Sequence, residues 1–210
     1  GDVNGDGFSD VLVGANGYNS STGRAYIFLG GASMNNTADV TMTGEAANIK
    51  LGYSVSDAGD VNGDGYSDVI AGAYDYSSST GRAYIYFGGA SMNNAADVTM
   101  TGETAFSNFG NSVSAAGDVN GDGYSDVIAG AFGYSSSTGR AYIYFGSASM
   151  NNTADVILTG EASGIQFGQS VSNAGDVNGD GYSDIIAGAN VYSTFTGRTY
   201  IYFGGVLMDN

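Results

Sequence analysis

Apolar residues along this chain come in short bursts rather than long amphipathic runs. One stretch reads LGYSVSDAG, then SDVIAGAY, then GRAYIYFGG, then DVTMTGE, each rich in Val, Ile, Tyr, Phe or Thr and bounded by Gly, Ser, Asn or Asp. Such runs predict strands. In the third, Tyr84 and Tyr86 fall on one face and Ala83, Ile85 and Phe87 on the other, so both faces of that strand are predicted to be covered. No stretch sustains a helical period. GASMNNAAD (89–97) carries Asn-Asn and reads as a loop.

The pattern recurs. Gly1, Gly59, Gly117 and Gly175 open the same segment at a constant step of 58 residues, with no insertion to break the register. STGRAYIFLGG (21–31) returns as STGRAYIYFGG (79–89), STGRAYIYFGS (137–147) and FTGRTYIYFGG (195–205). A fixed period of this size marks a repeat architecture. The units are 1–58, 59–116, 117–174 and a partial 175–210, read together as one repeat domain. The fold class is all-β. Four antiparallel strands per unit with both faces covered predict the blades of a β-propeller-type array, preferred here over a stacked solenoid. The first unit lacks its first strand and the last lacks its fourth, so the terminal blades are expected to be incomplete.

Composition narrows the chemistry. The chain has 210 residues and neither Cys, His, Trp nor Pro. Nucleophilic Cys, zinc–thiolate sites and histidine acid–base catalysis are thereby excluded. Net charge is −16, from 21 acidic and 5 basic residues, and no basic stripe exists to meet phosphates, so nucleic acid is not an expected partner. No apolar run approaches a membrane span, and no membrane insertion is expected. Four of the five basic residues, Arg24, Arg82, Arg140 and Arg198, occupy one repeated position at a strand start. A structural pairing with an acid or carbonyl of the same or the next blade is the reading given to them. Sequons stand at Asn19, Asn35 and Asn151.

Twelve of the acidic residues are concentrated in one feature, three in each of four loops of sequence DVNGDG(F/Y)SD. Positions 1, 3, 5 and 9 carry oxygen side chains, Gly at position 6 permits a sharp turn, and position 7 can offer its carbonyl. The candidate ligands are Asp2, Asn4, Asp6, Phe8 and Asp10; Asp60, Asn62, Asp64, Tyr66 and Asp68; Asp118, Asn120, Asp122, Tyr124 and Asp126; Asp176, Asn178, Asp180, Tyr182 and Asp184. An all-oxygen set with several carboxylates selects a hard cation, and Ca²⁺ over Mg²⁺. About four Ca²⁺ per chain are expected, one per loop. An EF-hand needs a Glu at position 12, where this chain has Ala71, and the flanks are strands rather than helices. A dockerin-type module fails on loop spacing and on its helices. A metal-free Asp/Asn/Gly turn is the plainer alternative, and four intact copies argue against it.

Loop, blade and flanking glycines together resemble the FG-GAP repeat family, the repeat of the integrin α-subunit propeller. The FG element corresponds to Leu51-Gly52, Phe109-Gly110 and Phe167-Gly168, and the GAP element to Gly14-Ala15, Gly72-Ala73, Gly130-Ala131 and Gly188-Ala189. The Pro of GAP is replaced by Asn16, Tyr74, Phe132 and Asn190, and the family's usual seven blades exceed what this chain holds. The resemblance implies a rigid, secreted or cell-surface scaffold, non-catalytic, for adhesion or protein–protein interaction. In integrins the calcium loops lie on one face of the propeller and partners engage the other. A glycan-binding propeller is the alternative, with Tyr84, Tyr142 and Tyr200 as rings that could stack on sugars. Packing between blades is the favoured reading of those tyrosines. The uncovered ends predict a homo-oligomer or a longer repeat array.

Overall fold

The computed structural model describes residues 1–206 and 208. Fourteen strands form four separate antiparallel sheets among these residues. Unit one supplies β1 (Val11–Ala15), β2 (Arg24–Phe28) and β3 (Val40–Thr43). Unit two supplies β4 (Val55–Gly59), β5 (Asp68–Ala73), β6 (Arg82–Tyr86) and β7 (Val98–Thr101). Unit three supplies β8 (Val113–Gly117), β9 (Asp126–Ala131), β10 (Arg140–Tyr144) and β11 (Val156–Thr159). Unit four supplies β12 (Phe167–Gly175), β13 (Asp184–Ala189) and β14 (Arg198–Tyr202). Each sheet keeps chain order, and the outer two have three strands each, as the sequence predicts. The register is the same in every unit: Ala71 opposes Tyr84 and Ala129 opposes Tyr142.

The sheets stack face to face, with the inner strands β4, β8 and β12 side by side. The alternation within the third strand of each unit divides the core. Tyr84 and Tyr86 pack with Ile27, Met42 and Leu51 of the preceding unit. Ala83 and Ile85 pack with Phe109, Val127 and Tyr142 on the other side. Phe109 is fully buried, its ring edge-on to Tyr142 with centroids 5.3 Å apart. Burial of one such ring contributes about 2–3 kcal/mol. The FG and GA glycines meet across this seam. A Cβ on Gly72 would collide with the carbonyl oxygen of Gly110, whose N–H donates to the Gly130 carbonyl at 2.9 Å. Glycine is therefore required there by backbone contact between blades, not only by turn geometry.

A second seam is polar. Arg140 donates to both oxygens of Glu103, in the preceding unit, at 2.7 and 2.9 Å, and its guanidinium lies 3.8 Å from the Tyr134 ring centre. Arg82 pairs with Glu45, and Arg198 with Glu161, in the same way. For Arg82, Arg140 and Arg198 the acid partner is thus found, and it comes from the preceding unit rather than from the same or the next blade.

The loop between the second and third strands holds a conformation that the sequence pattern does not announce. In unit two Ser77, Ser78 and Ser79 all have positive φ, 46°, 57° and 57°, and the equivalents in every unit do likewise. Three successive left-handed residues without glycine are unfavourable by themselves, and the turn is held from outside. Phe106 N–H donates to the Ser78 carbonyl at 3.0 Å and Asn108 N–H to that of Ser79 at 2.8 Å.

Candidate metal centre

Each acidic loop is closed by its own side chains. In unit two, Asp60 Oδ1 accepts from the N–H groups of Gly63 and Asp64 at 2.7 and 3.1 Å, and Oδ2 accepts from Gly65 at 2.8 Å. Asn62 Oδ1 accepts from Asp64 N–H at 2.9 Å. Asp64 Oδ1 accepts from Tyr66 N–H at 3.0 Å, and its Oδ2 from Asn62 Nδ2 at 2.9 Å. The loops of the other three units repeat this network. Backbone donors, those of Gly181 first, hold the Asp176 carboxyl below its ordinary range. Loop positions 1, 3 and 5 are thereby drawn into one exposed ring of oxygens.

Position 9 is buried where that ring is exposed. Asp68 is fully buried; its Oδ2 accepts from Val61 N–H and its Oδ1 from Gly88 N–H, both at 2.8 Å. The side chain ties the loop to the exit of β6. Burial pushes the Asp68 carboxyl up to about 6 and that of Asp126 up to about 7, with the neighbouring loop carboxylates adding to the rise. Among the described residues, no three acidic side chains converge closely enough to hold an ion between them. The donor set nevertheless fits a hard dication in kind. Each ring offers two carboxylates and an amide oxygen, and a carboxylate oxygen that accepts one N–H keeps a further lone pair.

The loops are also fastened to one another, which the sequence reading missed. Tyr124, read only for its carbonyl, lays its ring against Gly63 of the preceding loop. Ser125 N–H donates to the Asp60 carbonyl at 3.0 Å, and Ser147 N–H to that of Val61 at 2.8 Å. Tyr66 and Ser67 grip the first loop, and Tyr182 and Ser183 the third, in the same manner. The aromatic at position 7 and the serine at position 8, present in every copy, were the available signal.

Two family models match the chain: an FG-GAP-like repeat over residues 2–71, and an FG-GAP repeat over residues 109–144 and 167–202. Integrin alpha-5 of Xenopus laevis is 31% identical over 203 residues, covering 90% of this chain and 19% of that protein. Integrin alpha-V of Gallus gallus is 32% identical over 203 residues, with the same coverage. Integrin alpha-6 of Gallus gallus is 36% identical over 168 residues, covering 75% of this chain and 15% of that protein. The chain spans under a fifth of the length of these relatives.

Proposed function

Because the chain belongs to the FG-GAP repeat family, we propose that it is a calcium-held, extracellular scaffold for adhesion or protein–protein interaction and carries out no catalysis. The observation that carries this reading is the ring of Asp, Asn and Asp oxygens built four times by the same backbone network. Asp2, Asn4 and Asp6, Asp60, Asn62 and Asp64, and their equivalents in the third and fourth loops would hold the ion. The position-7 carbonyls and Asp10, Asp68, Asp126 and Asp184 complete the proposed sets. The ion would neutralise carboxylates that otherwise repel across a few ångströms. Weak sites of this kind fill at extracellular Ca²⁺ and stay empty in a low-Ca²⁺ cytosol. The similarity to integrin alpha subunits supports an adhesive role at the cell surface. Among the described residues, no helix is long and apolar enough to cross a membrane.

Calorimetric titration of metal-stripped protein tests the core of the reading. Four Ca²⁺ per chain are expected, with Mg²⁺ binding more weakly. No heat at millimolar Ca²⁺ would overturn it.

The partner side has two parts. Ile201 is 51% exposed where Ile85 and Ile143 are fully buried, and Val11 is 45% exposed where Val127 is fully buried. The uncovered face of β14 and that of β1 are the two complementary sides of the seam repeated inside the chain. A second copy, or further blades of a longer array, would cover them. Of the tyrosines considered for sugar stacking, Tyr84 and Tyr142 are buried between blades and Tyr200, on the last blade, is half-buried.

A further inference from the structure

Asparagine followed by glycine is a thermolabile pair. Glycine puts no side chain in the way of its own amide nitrogen, which can close onto the asparagine side chain. Asn4-Gly5, Asn62-Gly63, Asn120-Gly121 and Asn178-Gly179 are such pairs, at positions 3 and 4 of the acidic loops. Asn16-Gly17 is another, in the turn after β1. The fold restrains them unequally.

In the loops the reacting groups are tied down. In the fourth, Gly179 N–H donates to Asp176 Oδ1 at 2.6 Å. The Asn178 amide is held at both ends, its Nδ2 donating to Asp180 Oδ2 at 2.7 Å and its Oδ1 accepting from Asp180 N–H at 2.9 Å. These bonds must open before the Gly179 nitrogen can reach Asn178 Cγ. In the first three loops a tyrosine adds to the restraint: the rings of Tyr66, Tyr124 and Tyr182 lie against Gly5, Gly63 and Gly121. A Cβ on Gly179 would meet nothing within 4 Å. Val177 is 52% exposed where Val61 and Val119 are fully buried. The fourth loop therefore rests on its own hydrogen bonds, and these run to two carboxylates that repel each other unless a cation lies between them. Asn16-Gly17 has neither restraint. Among the described residues, no hydrogen bond holds the Asn16 side chain or the Gly17 N–H, whereas Gly133 and Val191, the counterparts of Gly17, donate to the Ser107 and Ile165 carbonyls at 3.0 and 3.3 Å.

We propose that Asn178 is a calcium-protected site of self-modification, where loss of the loop's ion lets the asparagine convert to aspartate or isoaspartate. The proposal rests on the calcium reading above. The ion would draw Asp176 and Asp180 together, and those two residues hold the Asn178 amide and the Gly179 N–H in place. Once the loop opens, water takes the Gly179 amide proton and the nitrogen attacks Asn178 Cγ. An N–Cγ bond forms, the Cγ–Nδ2 bond breaks, and the side-chain nitrogen takes up a proton and leaves as ammonia. Water then opens the resulting succinimide at one of its two carbonyls. Opening at Cγ leaves aspartate; opening at the main-chain carbonyl leaves isoaspartate, with the chain running through the side chain. Either product adds a negative charge to the loop. Isoaspartate also inserts a methylene into the backbone and shifts Asp180 and Asp184 relative to Asp176. Loss of the ion from the fourth loop is thereby recorded irreversibly.

The test incubates the full chain, and its Ile201→Asp variant to keep the last blade uncovered, in mildly alkaline isotope-labelled water with Ca²⁺ or with chelator. Proteolysis and mass spectrometry follow each Asn-Gly pair, and enzymatic methylation of isoaspartate separates the two products. Asn16 should convert at the same rate with and without Ca²⁺. Asn178 should convert about tenfold faster in chelator than in Ca²⁺ at about ten times Kd, the factor by which a bound ion suppresses opening. Asn62 and Asn120 should lag behind Asn178 in chelator. Tyr124→Ser, which uncovers Gly63, should bring Asn62 toward the rate of Asn178 while Asn4 keeps its own. Tyr66→Ser makes the same test at Asn4, with Asn120 as the reference, if the first variant does not fold. Equal rates at Asn178 in the two conditions, a rate there no faster than at Asn62 in chelator, or rates indifferent to the tyrosine substitutions would overturn the proposal. Calorimetry on the same samples separates the readings: Ca²⁺ bound with no change at Asn178 sinks this proposal alone, and no Ca²⁺ bound sinks both.

Discussion

The ring of Tyr124 lies so close to Gly63 that a Cβ on the glycine would sit 2.5 Å from ring atom Cε1. Gly65, two residues on in the same loop, faces open space. Both have positive φ, +77° and +90°. Gly65→Ala should therefore cost only the left-handed penalty, about 1–2 kcal/mol. Gly63→Ala should cost distinctly more, because Tyr124 must also move. Urea denaturation of the two variants measures the difference. Equal losses would show that the tyrosine yields freely and that the loops are not fastened together.

Asp64→Ala separates the ion from the fold. The substitution removes one proposed ligand and also relieves repulsion with Asp60. In Ca²⁺ the melting temperature should fall. In chelator it should stay level or rise. A loss of the same size under both conditions would mean that Asp64 acts through its hydrogen bonds from Tyr66 and Asn62 alone.

Arg24 provides an internal control for the polar seam. It stacks on Tyr18 at 3.7 Å and donates to Thr43 Oγ1 at 3.0 Å, as Arg140 does with Tyr134 and Thr159, yet it has no acid partner among the described residues. Arg140→Gln should destabilise by about 1 kcal/mol more than Arg24→Gln at low salt. The gap should narrow as salt is raised. Equal losses would leave Glu103 with no net contribution.

Ile201→Asp tests the open end. The native chain in Ca²⁺ should sediment above its 21.2 kDa mass at micromolar concentration, and the variant near it, with little change in the melt. Ile201 is half exposed, so the substitution removes little internal packing. A native chain that sediments as a well-behaved monomer would sink self-association.

Much of this was legible in the residues. The two-residue alternation through Tyr84, Ile85 and Tyr86 gave the strands and both faces of the core, because a sheet covered on both sides demands apolar residues throughout. The short terminal sheets followed from counting strands in each unit. Asp68 was legible as an acid but not as a buried strut, since its partners, Val61 N–H and Gly88 N–H, are backbone groups that no side-chain pattern reveals. The serine turn at 77–79 escaped for a related reason. Serine has no leaning toward positive φ, and what holds it there is a segment almost thirty residues later.

The grip of each tyrosine on the loop before it runs in one direction. Under load this makes the array a one-way clasp. An interior loop cannot be peeled from its sheet until the following blade has swung clear. Among the described residues the fourth loop has no such guard: Gly175 and Gly179 have open space where Gly59 and Gly63 meet Ser125 and Tyr124. Drawn out by its two ends, the chain should yield first at the fourth blade and then shed the remaining blades in reverse order of sequence. Each release would expose the next loop to be stripped of its ion.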